Sequence, residues 1–304
     1  MKQVFVSGIF DDIRSKHLRF LQEASLKGQV TVFLWGDQAA AAVTGKAPRF
    51  GIAERKYYLE AVRWVSRVEI GDDNLEPEAL PEARPDLAAA AAVSPTSDEK
   101  PIWAVTGVFG HPSEGPSAAK TAFCARKGID YLELSLADLS GFPYAPPSID
   151  ASRQLGAPRQ PGTPGAPCEK RVVVTGCFDW LHTGHIRFFE EASAYGELTV
   201  IVGHDENIKL LKGEGHPLFS QSERQYVAGS IRHVARALVS SGSGWLDAEP
   251  EIIALKADRY IVNADGDKPE KRKYCEKHNI EYIVLERTPA KGLPRRASTD
   301  LRGF

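Results

Sequence analysis

The pattern of apolar residues predicts alternating strands and helices. In the second half of the chain, β-branched apolar runs cover residues 171–175 and 198–202, and the first is bounded by Gly176. Such runs are typical of strands that are buried on both faces. Two further strands are predicted at 260–262 and 282–285.

Helices are predicted between these strands. Residues 185–194 place Ile186, Phe189 and Ala192 on one face, and residues 222–237 begin with Ser222 as a cap. Strands that alternate with helices indicate a parallel sheet with helices on both faces, the Rossmann-like α/β class. In such sheets ligands bind beyond the carboxyl ends of the strands.

The two halves of the chain repeat one another. Residues 4–37 and 172–205 align at a constant offset of 168, and 15 of these 34 positions are identical. The shared positions include Gly8 and Gly176, Phe10 and Phe178, Asp11 and Asp179, His17 and His185, and Arg19 and Arg187. Further along, Glu54-Arg55 matches Glu223-Arg224. We therefore expect tandem domains of the same fold at 1–142 and 171–304.

The segment between the repeats, residues 143–170, contains seven prolines, which predicts a semi-rigid linker. A second loose segment, near residues 76–101, interrupts the first repeat.

Composition narrows the class of protein. A length of 304 residues suits two domains, and a net charge of −2 gives no overall basic footprint for nucleic acid. No apolar run is long enough to span a membrane. The four cysteines form no C-x-x-C pair and fit neither a zinc site nor a disulfide scaffold, so we expect a reducing, cytoplasmic location.

Candidate chemistry lies directly after the strand at 171–175. His182 and His185 are three residues apart at the start of a helix, so both imidazoles can face one point. Gly184 lies between them without a side chain, which would let a triphosphate approach the backbone. Free N–H groups at a helix N-terminus favour phosphate, and two imidazoles can stabilise charge that develops on phosphorus.

A second candidate motif lies near the C-terminus. Ser298 and Thr299 resemble a helix start and follow Arg295 and Arg296, with Arg287 further upstream. Hydroxyl and N–H groups at such a start can hold phosphates that arginines neutralise, although a plain helix cap beside a solvated basic run would look the same.

Together these motifs resemble those of the cytidylyltransferase-like nucleotidyltransferases, which include glycerol-3-phosphate, ethanolamine-phosphate and choline-phosphate cytidylyltransferases and the heptose-phosphate adenylyltransferase. The resemblance covers nearly all of residues 171–303 and, more weakly, residues 2–140. It implies that His182, His185 and Lys212 are catalytic: the two histidines contact the α- and β-phosphates in the transition state, and Lys212 binds substrate and nucleotide phosphates. Nucleotide-binding roles are implied for Gly176, Phe178, Asp179, Gly184, Arg232, Asp265, Asp267, Arg287, Ser298 and Thr299.

The chain also departs from the family pattern. His233 replaces a tyrosine, and Asn263-Ala264 precede Asp265 where glycine is common. About seven extra residues separate Thr288 from Ser298. It therefore stays open which of Arg287, Arg295 and Arg296 contacts the phosphates.

The implied reaction joins a nucleoside triphosphate to a phosphorylated alcohol or sugar and releases pyrophosphate. CTP is the favoured donor and ATP the alternative, with Mg²⁺ carried on the triphosphate and no confident metal ligand from the protein. A non-catalytic protein that senses a nucleotide or metabolite is the alternative from another class.

The first repeat has lost the motif. Arg14 and Lys16 stand where the second repeat has His182 and Gly184, and Thr44 replaces Lys212. We expect a catalytically silent domain that packs on its partner as a pseudo-dimer within the chain. The alternative is an altered site for an anionic effector.

Overall fold

A computed structural model describes residues 2–71, 77–80, 100–143 and 170–301. It divides into two compact units, Met1–Gly141 and Phe142–Phe304. The predicted linker lies outside the described residues except at its ends, as does most of the loose segment at 76–101. Among the helices that the structure describes, none has the length and apolar character needed to cross a membrane.

The first unit contains a five-stranded parallel sheet with the strand order β3-β2-β1-β4-β5. The strands are β1 (Gln3–Gly8), β2 (Gln29–Leu34), β3 (Val65–Ile70), β4 (Ile102–Val105) and β5 (Asp130–Glu133). The helices described in this unit are α1 (Ser15–Ser25), α2 (Asp37–Thr44), α3 (Ile52–Ala61) and α4 (Ala118–Lys127).

The second unit repeats this sheet in parallel order β8-β7-β6-β9-β10. Its strands are β6 (Arg171–Gly176), β7 (Glu197–Val202), β8 (Arg236–Val239), β9 (Arg259–Asn263) and β10 (Glu281–Leu285). Its described helices are α5 (Thr183–Ser193), α6 (Asp205–Lys212), α7 (Gln221–Gly229), α8 (Glu249–Leu255), α9 (Pro269–Lys277) and α10 (Ser298–Leu301).

The predicted α/β fold class is confirmed, since both units have parallel sheets built from strands that alternate with helices. All four strands predicted in the second half are present within a residue or two of the expected bounds. The core lies on the sheet, where Val173, Val174 and Tyr260 are fully buried.

One helix prediction was too long. Residues 222–237 form α7 only as far as Gly229, and residues 236–239 form strand β8 instead. The helix ends because Ser230 and Ile231 close its last turn through backbone bonds to Tyr226, Val227 and Ala228. Beyond that turn, pairing with β7 overrides helical periodicity.

Candidate active site

The site begins at the turn that follows the central strand β6. Phe178 lies in the left-handed region with φ 50° and packs its ring over Gly176. A Cβ on Gly176 would lie 2.9 Å from that ring, so glycine is required here. The Phe178 ring meets His185 edge-on at a centroid distance of 5.5 Å. Phe178 therefore packs against His185 and helps to hold its ring in place.

The two histidines lie side by side at the start of α5. His182 is the N-cap, and its Nδ1 accepts the backbone N–H of Gly184 at 3.1 Å. The ring centroids of His182 and His185 are 4.0 Å apart, with the planes inclined by 31°. The structure thus brings together the two side chains that the sequence singled out.

Burial, with help from neighbouring charges, favours the neutral form of both imidazoles. Burial, followed by the charges of Arg287 and Arg296, lowers the pKa of His182 to about 4. The pKa of His185 is well below its usual value because of burial and the charges of His182, Arg287 and Lys212, although the backbone of Trp180 opposes this shift. His182 is only 2% exposed.

One ring nitrogen of this pair is buried without a partner. Within the described parts of the chain, Nε2 of His182 has no hydrogen-bond partner, whereas the backbone of Trp180 bonds to the ring of His185. Because Nδ1 of His182 accepts a bond, the proton of its neutral ring belongs on Nε2. A buried donor without a partner is costly, which is typical of a group that awaits a ligand.

The C-terminal segment lies against the start of α5. Arg287 forms an ion pair with Asp265 and donates to the backbone carbonyl of Arg296 at 3.0 Å. A cleft runs between Thr183 and Gly184 on one side and this segment on the other. The helix expected near the terminus begins at Ser298. The side chain of Thr299 lies outside the described residues.

The space above Gly184 is used differently from the sequence-based expectation. A Cβ there would lie 2.9 Å from Cε1 and 3.0 Å from Nδ1 of His182, and 3.4 Å from the carbonyl oxygen of Arg296. The missing side chain therefore makes room first for the imidazole of His182. Glycine is needed at this position so that the N-cap histidine can fold back over the helix.

Asp179 faces the protein rather than the cleft. Its carboxylate is buried and accepts the backbone N–H groups of Leu218 and Phe219 at 2.8 to 3.0 Å. In the first unit Asp11 accepts the N–H groups of Arg49 and Phe50 in the same way. This acidic residue of the first loop fixes the loop before α7.

Arg224 is a structural residue whose role the sequence analysis missed. Its guanidinium is 1% exposed. It donates to the carbonyls of Phe219, Cys177 and Gly203 and pairs with Asp205 at 2.7 Å. These bonds tie the turn after β6 to the ends of neighbouring elements. The signal was present in the repeat, because Arg55 makes the equivalent bonds in the first unit.

Three other predicted residues lie in different surroundings. Lys212 ends α6 with an exposed side chain; its charge adds to the burial that lowers the pKa of His185 and opposes the burial that raises the pKa of Cys177. Arg232 is exposed after α7. Burial lowers the pKa of His233, and the charge of Arg232 adds to this shift. Asp267 pairs with Arg272 and accepts a bond from Tyr282.

The first unit has the same turn with different chemistry. Arg14 turns toward Asp12 at 2.8 Å. The buried ring of His17 stacks on Phe109 at a centroid distance of 4.4 Å, and burial with the charges of Lys16 and Arg14 lowers the pKa of His17 to about 3. The ring that stacks on this histidine is therefore a phenyl ring and not a second imidazole.

Comparison with known proteins identifies the family. Residues 173–302 match the model of the cytidylyltransferase-like family. The FAD synthase of Thermococcus kodakarensis is 36% identical over 122 residues, which cover 38% of this chain and 77% of that enzyme. The FAD synthase of Aciduliprofundum boonei is 31% identical over 138 residues, or 44% of this chain and 84% of that enzyme. The chain belongs to the cytidylyltransferase-like family of nucleotidyltransferases.

Two further similarities concern part of this chain. The bifunctional protein HldE of Aliarcobacter butzleri is 42% identical over 67 residues, and the match spans 21% of this chain but only 14% of HldE. Among solved structures, a lipopolysaccharide core biosynthesis protein from Thermoplasma volcanium aligns with a TM-score of 0.34 and 25% identity, covering 41% of this chain and all of that one.

Proposed function

We propose that the second unit transfers a nucleotidyl group from a nucleoside triphosphate to a phosphorylated alcohol or sugar and releases pyrophosphate. The observation that carries this proposal is the pair of neutral imidazoles at the start of α5, whose ring centroids are 4.0 Å apart. The charge of Arg287 lowers the pKa of both buried rings, and that of Arg296 lowers the pKa of His182. This arrangement offers N–H donors and positive charge at one point, which suits a triphosphate.

The chemistry follows from positioning. A phosphate oxygen of the acceptor attacks the α-phosphorus in line, a new P–O bond forms, and the bond to the β-phosphate breaks so that pyrophosphate leaves with the electron pair. The Nε2–H of His182 is suited to donate to a phosphate oxygen whose charge increases. The arginines neutralise the leaving pyrophosphate, and no protein nucleophile takes part.

ATP is the donor that we propose, with CTP as the competing candidate. Both full-domain relatives are FAD synthases, and FAD carries an adenosine monophosphate half. HldE, the heptose-phosphate adenylyltransferase, gives a second similarity that points the same way. The sequence motifs alone favour CTP less strongly than these relatives favour ATP.

We propose that Mg²⁺ enters with the triphosphate. Among the described residues there is no group of three or more His, Cys, Asp or Glu side chains that could hold a metal. The carboxylate nearest in sequence to the histidines, Asp179, is engaged by backbone N–H groups. Asp265 is likewise paired with Arg287, so we propose that the phosphate oxygens supply most of the ligands for Mg²⁺.

A pyrophosphate-release assay tests the proposal. The full chain is incubated with ATP, CTP, GTP or UTP, Mg²⁺, and a set of phosphorylated alcohols and sugars that includes riboflavin phosphate. We expect release with ATP and one acceptor class, and the matched His185→Ala variant should release pyrophosphate at least ~100-fold more slowly. Release with CTP alone would replace the proposed donor.

The non-catalytic alternative is distinguished by the same material. Calorimetry with each nucleotide reports binding without turnover. Tight binding of a nucleotide with no pyrophosphate release for any acceptor would favour a sensor and contradict the proposed transfer reaction.

A further inference from the structure

The carboxylate of Glu114 contacts the turn that follows β1 in the first unit, at Gly8 and Ile9. This turn is equivalent to the turn after β6 in the second unit, where the candidate active site begins. Oε1 of Glu114 accepts the backbone N–H of Ile9 at 2.7 Å, and the backbone of Phe10 also bonds to this carboxylate. A Cβ on Gly8 would lie 2.7 Å from the same oxygen. At the equivalent Gly176, the nearest atoms all belong to the Phe178 ring.

The segment that carries Glu114 also covers His17. It follows β4, which occupies the same place in its sheet as β9 in the second unit. Phe109 stacks on His17 at 4.4 Å and packs edge-on against Phe20 at 5.3 Å. Lys16 donates to the carbonyl of Val108 at 3.4 Å. The residue that replaces Gly184 thus bonds to this segment.

The segment is held in place from its far side. Lys120 is 2% exposed, and its ammonium donates to the carbonyls of Ser113 and Gly115 at 2.7 and 2.6 Å. Burial raises the pKa of the Glu114 carboxyl, whereas the Ile9 N–H and the charges of His111 and Lys120 favour its anionic form. A half-buried carboxylate that accepts two successive backbone N–H groups occupies the kind of site that also suits a phosphate.

We infer that Glu114 is an internal anion that occupies the former phosphate position of the first unit, so that this unit is closed to nucleotides by its own chain. The turn itself keeps its affinity for anions. Removal of the carboxylate would therefore open a site for a phosphate or pyrophosphate group. This inference favours the silent account of the first repeat and does not depend on catalysis in the second.

The test uses the backbone amides of the full ¹⁵N-labelled chain. Inorganic pyrophosphate is titrated into the wild type, Glu114→Ala, and the control Glu133→Ala, which removes an exposed glutamate from the same unit. We expect saturable shifts of the Ile9 and Phe10 amides in Glu114→Ala alone. Equal shifts in the wild type, or no shift in a folded Glu114→Ala chain, would overturn the inference.

A second variant guards against a folding defect. Glu114→Gln keeps the shape of the side chain and one acceptor oxygen but removes the charge. The charge-assisted bond to Ile9 would weaken, so hydrogen exchange of the Ile9 amide should accelerate about tenfold or more. Exchange at the wild-type rate would show that the charge of the Glu114 carboxylate does not strengthen the bond to the Ile9 amide, and would contradict the inference.

Discussion

The Nδ1 of His182 accepts the backbone N–H of Gly184, and this bond places the imidazole where a side chain on residue 184 would lie. Gly184→Ala would bring a Cβ to within about 3 Å of the ring, so the ring must move. We expect turnover to fall at least ~10-fold, because misplaced catalytic groups lose rate steeply. Steady-state kinetics measures the effect.

The control for this variant is Lys16→Ala in the first unit. It stands at the equivalent position, where a side chain is already present. Turnover should be unchanged. A normal rate for Gly184→Ala would mean that the position of the His182 ring does not matter.

His185→Ala should lower turnover by at least ~100-fold, the usual cost of removing one donor from a transition state. His17→Ala, the matched change in the first unit, should leave turnover nearly unaffected, because His17 is covered by Phe109. Single-turnover kinetics at saturating nucleotide separates this chemical effect from binding. Equal losses in the two variants would show that both units catalyse.

The imidazole of His182 should stay neutral as the pH falls from 7 to 5, since burial and two arginines lower its pKa to about 4. The unfolded chain, with a histidine pKa of about 6.5, binds more protons across the window between these values. The contribution of this group to the free energy of unfolding therefore falls with decreasing pH. By about pH 4, the lower of the two pKa values, it has fallen by about 3 kcal/mol.

An NMR titration of the imidazole C–H resonances measures this pKa directly. Addition of a nucleoside triphosphate should raise the pKa, because an anion favours the charged ring. A midpoint near 6.5 without nucleotide would contradict the burial of His182.

Arg287 and Arg296 act on His182, whereas Arg295 is exposed to solvent. We expect Arg287→Ala to lower kcat/KM for the triphosphate by about 10- to 100-fold, as for the loss of a charge-assisted contact. Arg295→Ala should change it less than about threefold. The reverse order would assign the phosphate contact to Arg295, and initial-rate kinetics for the variant pair decides between them.

Arg224→Ala should destabilise the second unit by about 3–5 kcal/mol, because it leaves Asp205 without its buried partner and several carbonyls unpaired. Arg232→Ala, which removes an exposed arginine after the same helix, should stay within about 0.5 kcal/mol. Urea unfolding followed by circular dichroism compares them. A small effect at Arg224 would remove its assigned structural role.

Much of the fold could be predicted because its signals are local. The buried strands are predicted by apolar β-branched runs, and the internal repeat predicts two units. The error at 236–239 arose because a short strand is decided by pairing with β7, which is a contact distant in sequence. The closeness of His182 and His185 was also predictable, since residues three apart at a helix start lie on one side.

The roles of individual polar residues were less predictable. An aspartate in a first loop can face a ligand or the backbone, and only the structure shows that Asp179 holds Leu218 and Phe219. Nothing in the sequence marked Glu114, because its partner Ile9 lies 105 residues away. Contacts of that range depend on how the loop after β4 folds back.

Each unit has a buried aspartate that accepts backbone N–H groups and a buried arginine that donates to backbone carbonyls. They are Asp11 and Arg55 in the first unit, and Asp179 and Arg224 in the second. Contacts that both units make have survived the loss of one histidine motif, so selection for shape maintains them. Contacts that only one unit makes, such as Glu114 with Ile9 or His182 with His185, are where the turns of the two units differ. The two units of one chain thus distinguish contacts that the fold requires from contacts that are particular to one site.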